Sequence, residues 1–280
     1  GPYEFVQWDK GQQVIAKANE NYYGDKPQIK QLTMVFLDTD AAYSALQKGD
    51  VDVCQINGNL ADKKVDGAKV IDIDSIECYG VEFPMQKSGK KAKDGYEMGN
   101  NVTSDEAIRK ALNTAVDRQK IVDGVLNGYG TVSTTGLEQM PWENKDAELS
   151  KDEYANVDEA KKILADGGWK DSDNDGIVEK DGQKAEFKLL YTEGNYRQEM
   201  ALSVNLEVRT WDTILDDIHK EAVLFGFGSG DPSELYNLYY GPIAGGTVAW
   251  DNAGCYDNKN VNKDIDKALD ATDEKEALPY

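Results

Sequence analysis

Histidine is nearly absent from this chain: the 280 residues hold one, His219. That removes most histidine-based catalysis and every metal centre that needs several imidazoles. Cysteine is almost as scarce. Cys54, Cys78 and Cys255 form no CxxC pair, and a sparse, odd set is neither a zinc site nor a disulfide framework. Positive charge is short as well, with 31 Lys and Arg against 52 Asp and Glu, a net charge of -21 and a pI near 4.4. A nucleic-acid binder needs a basic footprint, so that class is excluded. No apolar run is long enough to cross a bilayer. A signal peptide is lacking too, yet the chain opens on "GPYEFVQW", which already reads as strand, so a missing leader does not place it in the cytoplasm.

What is present is 40% hydrophobic residues, enough to build a core for one large domain or two ordinary ones. The acidity favours solubility and suits cations or exposure outside the cell, although a solvated acidic surface accounts for most of these charges. Residues 3–18 read as two strands around "DKGQ", and "IKQLTMVFL" as a third. "DAAYSALQKG" is a short helix with Asp40 as N-cap and Gly49 as its stop. "VDVCQI" reads as a short strand, and "KVIDIDSIECYGVEF" as a long strand-rich stretch. Thr103 with Glu106 reads as a capping box, and Ile108, Ala111, Leu112, Ala115 and Val116 are expected to follow as one buried helical stripe. Helices are also expected at 118–126, over "VDEAKKILADGG", over "NYRQEMALSVNLE" and in the charged tail. Ala185, Phe187, Leu189 and Tyr191 alternate as a strand, "AVLFGFGS" is a buried strand, and "PSELYNLYY" is a short helix entered at Pro232. The alternation of strands and helices indicates an α/β fold without internal repeats.

The loudest local motif is "DSDNDGIVEKDG", residues 171–182. Asp171, Asp173 and Asp175 occupy positions 1, 3 and 5 of a calcium loop, Gly176 supplies the turn, Ile177 offers a carbonyl at position 7, and Glu179 stands at position 9. Position 12, where a bidentate Glu closes the shell, is Gly182. Asp181-Gly182 is instead a two-residue hairpin turn, because both residues tolerate the positive φ of a type I′ turn. Two readings follow: an acidic turn leading a helix into a hairpin, or the same joint braced by a structural Ca2+. No other cofactor is required.

Taken in order, "GPYEFVQW", "NENYYGDKP", "ALQKGDVDV", "DEAIRKALNTAVDRQKIVDGVLNGYG", "DEAKKILADGGWKDSDNDGIVEKDG" and "FGFGSGDPSELYNLYY" resemble the extracytoplasmic solute-binding proteins of peptide and nickel ABC transporters, family 5. The match runs across nearly all of the chain. The resemblance implies a two-lobed, type II periplasmic-binding-protein-like α/β fold that closes over its ligand, with hinge strands near Ile76–Phe83. It also implies a truncated chain: residues 1–78 as the remaining part of lobe one and residues 79–280 as most of lobe two. Family members have more residues within "MALSVNLEVRTWDTIL", including a strand before the Trp. Either this protein is shorter there or a loop is absent from the sequence.

A receptor of this kind needs no nucleophile; it needs polar groups to orient a solute and aromatic groups to cover it. Residues 224–240 combine a strand end, a Gly-rich turn and a helix start, which makes Gly228, Asp231, Tyr236, Tyr239 and Tyr240 candidates, with Tyr129 and Trp211 as further walls. In peptide-binding members the resemblance implies an Asp that grips the peptide amino group; the residue that falls there is Gly228, with Asp231 three positions on. The expected ligand is therefore a peptide or a related small solute, with a nickel–chelate complex or a sugar conjugate as alternatives. The expected partner is a membrane ABC permease, the expected state a monomer outside the cytoplasm held by a lipid anchor beyond this chain, and the expected class a non-enzyme. No nucleophile elbow, phosphate loop or metal-protease motif occurs. A glycoside-acting carboxylate pair and a calcium-dependent adhesion module are the rival readings.

Overall fold

The computed structural model describes residues 1–140, 142–150, 153–192, 206–246 and 252–280. The chain divides into two compact units, Gly1–Ile71 and Asp72–Tyr280.

The first unit is built on an antiparallel meander of β1 (Tyr3–Asp9), β2 (Gln13–Ala18) and β3 (Gln31–Val35), with a bulge between Phe5 and Gln7. Gly11, at φ +74, makes the tight β1–β2 turn, a backbone state that costs glycine little. Helix α1 (Thr39–Lys48) follows. Its N-cap is Asp38, not Asp40: Asp38 is extended and its carboxylate accepts from Ala41 N at 2.8 Å, which places Asp40 inside the first turn. Gly49 ends the helix in the left-handed region at φ +78. The buried Tyr43 ties α1 to the rest of the unit by donating to Lys63 O at 3.2 Å. A short helix, α2 (Gly58–Ala61), completes the unit. The run "VDVCQI" is not a strand. It pairs with nothing among the described residues and leaves Val53 86% exposed, so its apolar content alone did not recruit a ladder.

The second unit centres on a four-stranded sheet in the order β10-β9-β11-β4. These are β4 (Cys78–Glu82), β9 (Leu189–Thr192), β10 (Leu206–Arg209) and β11 (Ala222–Phe227); β10 and β11 run parallel to β9, and β4 is antiparallel to β11. Leu190 and Val223 face Ile214, Ile218 and Ala253 on one side, while Leu189, Tyr191, Ala222 and Leu224 meet Phe83 and Phe187 on the other. Both faces are covered, which is why β11 reads as an uninterrupted apolar run rather than an alternating one. Each buried Leu, Ile or Val among them contributes about 1.5–3 kcal/mol on burial. Of the strand-rich stretch 69–83, only Cys78–Glu82 is strand. Ala185 and Phe187 precede β9 rather than belong to it. The helix expected over 195–207 lies mostly outside the described residues, and its last two, with Val208 and Arg209, are strand: parallel pairing with β9 overrides the local helix signal. A strand thus stands before Trp211.

Two-stranded ladders β5 (Lys90–Lys91) with β6 (Glu97–Met98), and β7 (Glu179–Lys180) with β8 (Gln183–Lys184), flank the sheet in sequence. Helix α3 (Glu106–Ala115) packs on α5 (Val157–Asp166), and α4 (Arg118–Val125) lies between them in the chain. At this crossing a Cβ on Gly167 would stand 2.4 Å from that of Ala107. The expected Thr103–Glu106 capping box does not form. Asp105 is the cap, accepting from Ala107 N at 2.9 Å and from Lys180 Nζ at 2.6 Å; Thr103 is buried and donates to Pro84 O at 2.8 Å. Because one carboxylate serves both helix and hairpin, Asp105→Ala is expected to lower stability by about 1–2 kcal/mol, measured by urea unfolding. Asp105→Asn, which keeps the cap, should recover most of the loss.

Candidate functional site

The segment singled out in the sequence is positioned by the end of β11. Its last pair is Phe227 with Cys78, and the chain then leaves the sheet at Gly228. A Cβ at Gly228 would meet Glu77 Cα at 2.9 Å, Glu77 N at 3.1 Å and Ile76 O at 3.1 Å. All three are backbone atoms, so this position requires glycine for close approach rather than for a positive φ. Two residues of turn follow. Ser229 and Asp231 bind each other's polar atoms, and the Asp231 carboxylate accepts from Ser233 N at 2.9 Å. Asp231 thus caps the 3-10 turn Pro232–Glu234, whose Pro at the start needs no N–H partner. That bond to Ser233 holds the exposed Asp231 carboxyl below its usual range.

Helix α7 (Leu235–Tyr239) carries the tyrosines, and the structure sorts them into two groups. Tyr236 and Tyr240 stack at 4.6 Å and 27°, and Tyr240 is hydrogen-bonded to Asp266 of α8 (Lys259–Asp270), which raises its pKa. Tyr239 turns the other way, edge-on to Tyr256 at 6.0 Å; burial first, then the charges of Glu82 and Cys78, push its hydroxyl up to about 12. Tyr129 sits in the turn after α4, its N donating to Leu126 O at 2.9 Å. Trp211 opens α6 (Trp211–Ile214), which Thr210 and Thr213 cap reciprocally; its side chain lies outside the described residues. Asp266, Tyr256 and Glu82 gave no signal of their own in the sequence: the chain after Tyr240 brings the first two here, and the pairing of β4 with β11 brings Glu82.

The acidic loop closes on itself. Asp171, Asp173, Asp175 and Glu179 bring carboxylate oxygens within 4.8 Å of one another. Asp171 accepts from Asp175 N at 3.2 Å and Gly176 N at 3.0 Å, Asp175 accepts from Ile177 N at 2.8 Å, and Glu179 accepts from Ser172 N at 3.0 Å. Asp181 and Gly182, at φ +52 and +79, make the hairpin turn between β7 and β8. That hairpin returns Lys184 to the loop. Its ammonium contacts Asp175 and lies 3.5 Å from Asp173, and the bond to Asp175 raises the Lys184 pKa and lowers that of Asp175. The protein therefore supplies its own counter-cation to this cluster. Gly176 takes the turn at φ +91, and the Ile177 N–H is engaged by Asp175.

Residues 1–207 match the sequence model of the bacterial extracellular solute-binding proteins, family 5 Middle. The chain belongs to this family. Among curated relatives, Protein XP55 of Streptomyces lividans is 35% identical over 97% of the chain, and the oligopeptide-binding protein AppA of Bacillus subtilis is 28% identical over 86%. The chain spans about half the length of these relatives, 49% and 46% respectively. The solved structure of AppA in complex with a nonapeptide superposes on the whole chain with a TM-score of 0.76 at 26% identity, covering 56% of the AppA chain. NikZ from Campylobacter jejuni, solved in complex with Ni(L-His), gives 0.78 at 25% identity and 57% coverage. These neighbours are two-lobed solute-binding proteins, and the α/β content described above matches the part of them that the chain covers. Among the described residues no helix is long and apolar enough to cross a membrane.

Proposed function

We propose that this chain is part of an extracytoplasmic receptor that captures a peptide or related small solute and delivers it to a membrane ABC permease. The observation that supports this reading is the family match together with a relative and a solved neighbour named for oligopeptide binding. A ligand would shift the receptor toward a closed state only through contacts that it makes there and not in the open state. Asp231 is the exposed carboxylate that we assign to a ligand amine at the end of β11; Ser233 already holds it through its backbone N and its side chain. The receptor acts as a monomer on the outer face of the cytoplasmic membrane, held there by a lipid anchor, and it catalyses nothing.

Calorimetry on the full-length protein with a short peptide tests this. Saturable binding is expected, and Asp231→Asn, which keeps the cap because Asn caps as well as Asp, should weaken it about tenfold. Unchanged affinity would remove Asp231 as the anchor; absence of saturable heat would remove the peptide. A second reading, a metal chelate as solute, is favoured by one observation. Gly228 stands where the resemblance places the amine-gripping Asp, and a neighbour was solved with Ni(L-His). With His219 as the one imidazole, and buried, the chain would have to hold such a complex through groups other than its own histidines.

We further propose that the acidic loop is a structural joint that Ca2+ can brace in competition with Lys184. Asp173→Ala is then expected to lower the melting temperature more in calcium than in chelator. An equal loss in both would leave Lys184 as the sole counter-ion of the loop.

A further inference from the structure

Cys78 joins two parts of the second unit at one end of the sheet. It pairs with Phe227, one residue before the chain leaves β11 at Gly228. Paired residues on neighbouring strands share a face, so its side chain stands beside that of Phe227. There the thiol donates to Gly136 O at 2.9 Å. Burial first, then the charges of Glu138 and Glu77, push this thiol up to about 11. The Tyr239 hydroxyl of α7, a candidate wall of the site, is within reach of the Cys78 charge as well. The turn 134–138 and helix α7 therefore border the same strand end.

That turn belongs to a long connection. Residues 126–156 hold neither α-helix nor strand among the described residues, and connections beyond ~12–15 residues without such structure usually carry function. Yet the turn is fixed, and Glu138 fixes it. Its Oε1 accepts from Thr134 N, from Thr134 Oγ1 at 2.8 Å and from Thr135 N at 2.9 Å. Leu149 N donates to Thr134 Oγ1 at 2.9 Å, which ties the turn to the far part of the connection. Three donors on one oxygen hold the carboxylate in place before a ligand arrives, so little freedom is lost on binding. The Glu138 charge also reaches Arg118, but Asn113 engages that guanidinium through its backbone and side-chain oxygens, and the group lies over the Tyr154 ring.

Closure over a solute takes water from a carboxylate, and one that loses its water without gaining a positive partner is costly. Asp231 and Glu138 are two such groups, and a single amine satisfies one of them. We infer that Glu138 is a specificity-determining residue of the proposed site, receiving the side-chain cation of a lysine or arginine in the bound peptide while Asp231 takes the terminal amine. This rests on the peptide reading and narrows it to basic peptides.

Calorimetry on the full-length protein tests it, with alanine pentapeptides that carry one lysine moved from the first position to the last, each beside its Nε-acetyllysine counterpart. At one position or more the lysine peptide is expected to bind about tenfold more tightly than its acetylated counterpart. Glu138→Gln should bring that ratio close to one. Glutamine keeps an oxygen for the three donors, so the turn survives, and a ratio taken within one variant does not depend on how stably that variant folds. Asp231→Asn should weaken both members of a pair alike and leave the ratio standing. No saturable heat with any pentapeptide would remove the peptide reading and this inference with it. Binding without a preference for lysine, or a preference that persists in Glu138→Gln, would overturn the inference alone. So would a Glu138→Gln variant that weakens both members of each pair equally, because Glu138 would then only brace the turn.

Discussion

Lowering the pH from about 6.5 to about 4 is expected to cost the second unit roughly 3 kcal/mol through His219 alone. The ring is 1% exposed, lies edge-on to Tyr96 at 4.4 Å, and has no partner for either nitrogen among the described residues. Burial pushes its pKa down to about 4, Lys220 adds to the shift, and Asp217 and Asp216 oppose it. A depressed histidine pKa means that the unfolded chain takes up its proton first. The neutral ring is fully compatible with the fold above about pH 6.5, the unfolded value. Stability then falls with pH until the folded value, near 4, is reached. At about 1.4 kcal/mol for each pH unit between the two values, the loss is the figure given above.

Glu221 works in the opposite sense, since burial raises its pKa and the folded state gains protons there as pH falls. A single melting curve therefore mixes the two groups, and a difference between variants separates them. His219→Leu should match the wild type within about 1 kcal/mol at pH 7, because an apolar group replaces polar atoms that lack partners. At pH 4 it should be the more stable protein by most of the 3 kcal/mol. Urea unfolding across this range is the measurement, and parallel curves for the two proteins would show that His219 is not the titrating group.

How far the sequence reached depends on where each element finds its partner. The β1–β2 hairpin was legible because its partner lies four residues away, and α3 and α5 because their apolar spacing and end residues are local. Cap positions were less so. Asp38 and Asp40 are equivalent in composition, and only the backbone shows which one bonds Ala41 N. "VDVCQI" and Leu206–Arg209 failed in opposite directions for one reason: whether an apolar stretch becomes strand was decided by the presence or absence of a neighbouring strand distant in the chain. The candidate site divides in the same way. That residues 224–240 leave a strand for a capped turn was readable from Gly228, Asp231 and Pro232. That Tyr240, stacked on Tyr236, bonds Asp266 while Tyr239 turns to Tyr256 was not, because both partners enter from later segments.

Gly228→Asp is expected to lower the melting temperature by about 2–12 °C rather than to install an anchor for a peptide amine. The substitution is the natural attempt to restore the acidic residue that the family resemblance places here. Its Cβ, however, would sit 2.9 Å from Glu77 Cα and 3.1 Å from both Glu77 N and Ile76 O. Backbone cannot swing aside as a side-chain tip can, so residues 76–77 must shift, and they lead directly into β4, the strand paired with β11. Overpacking of this kind costs about 1–3 kcal/mol, and each kcal/mol moves the midpoint of a domain this size by about 2–4 °C. The clash belongs to the Cβ, so Gly228→Ala should lose nearly as much as Gly228→Asp, the carboxylate adding a smaller repulsion from Glu77. Thermal unfolding of the two variants side by side checks this. If both melt with the wild type, the approach of β11 to residues 76–77 is looser than described, and the glycine no longer accounts for the missing carboxylate. If Ala is tolerated and Asp is not, charge rather than space decides the position. The expected result, equal losses, makes the glycine a consequence of how closely β11 passes the 76–77 backbone. Under the proposed peptide reading, Asp231, whose carboxylate is held in place by the turn that it caps, is the expected partner of a ligand amine.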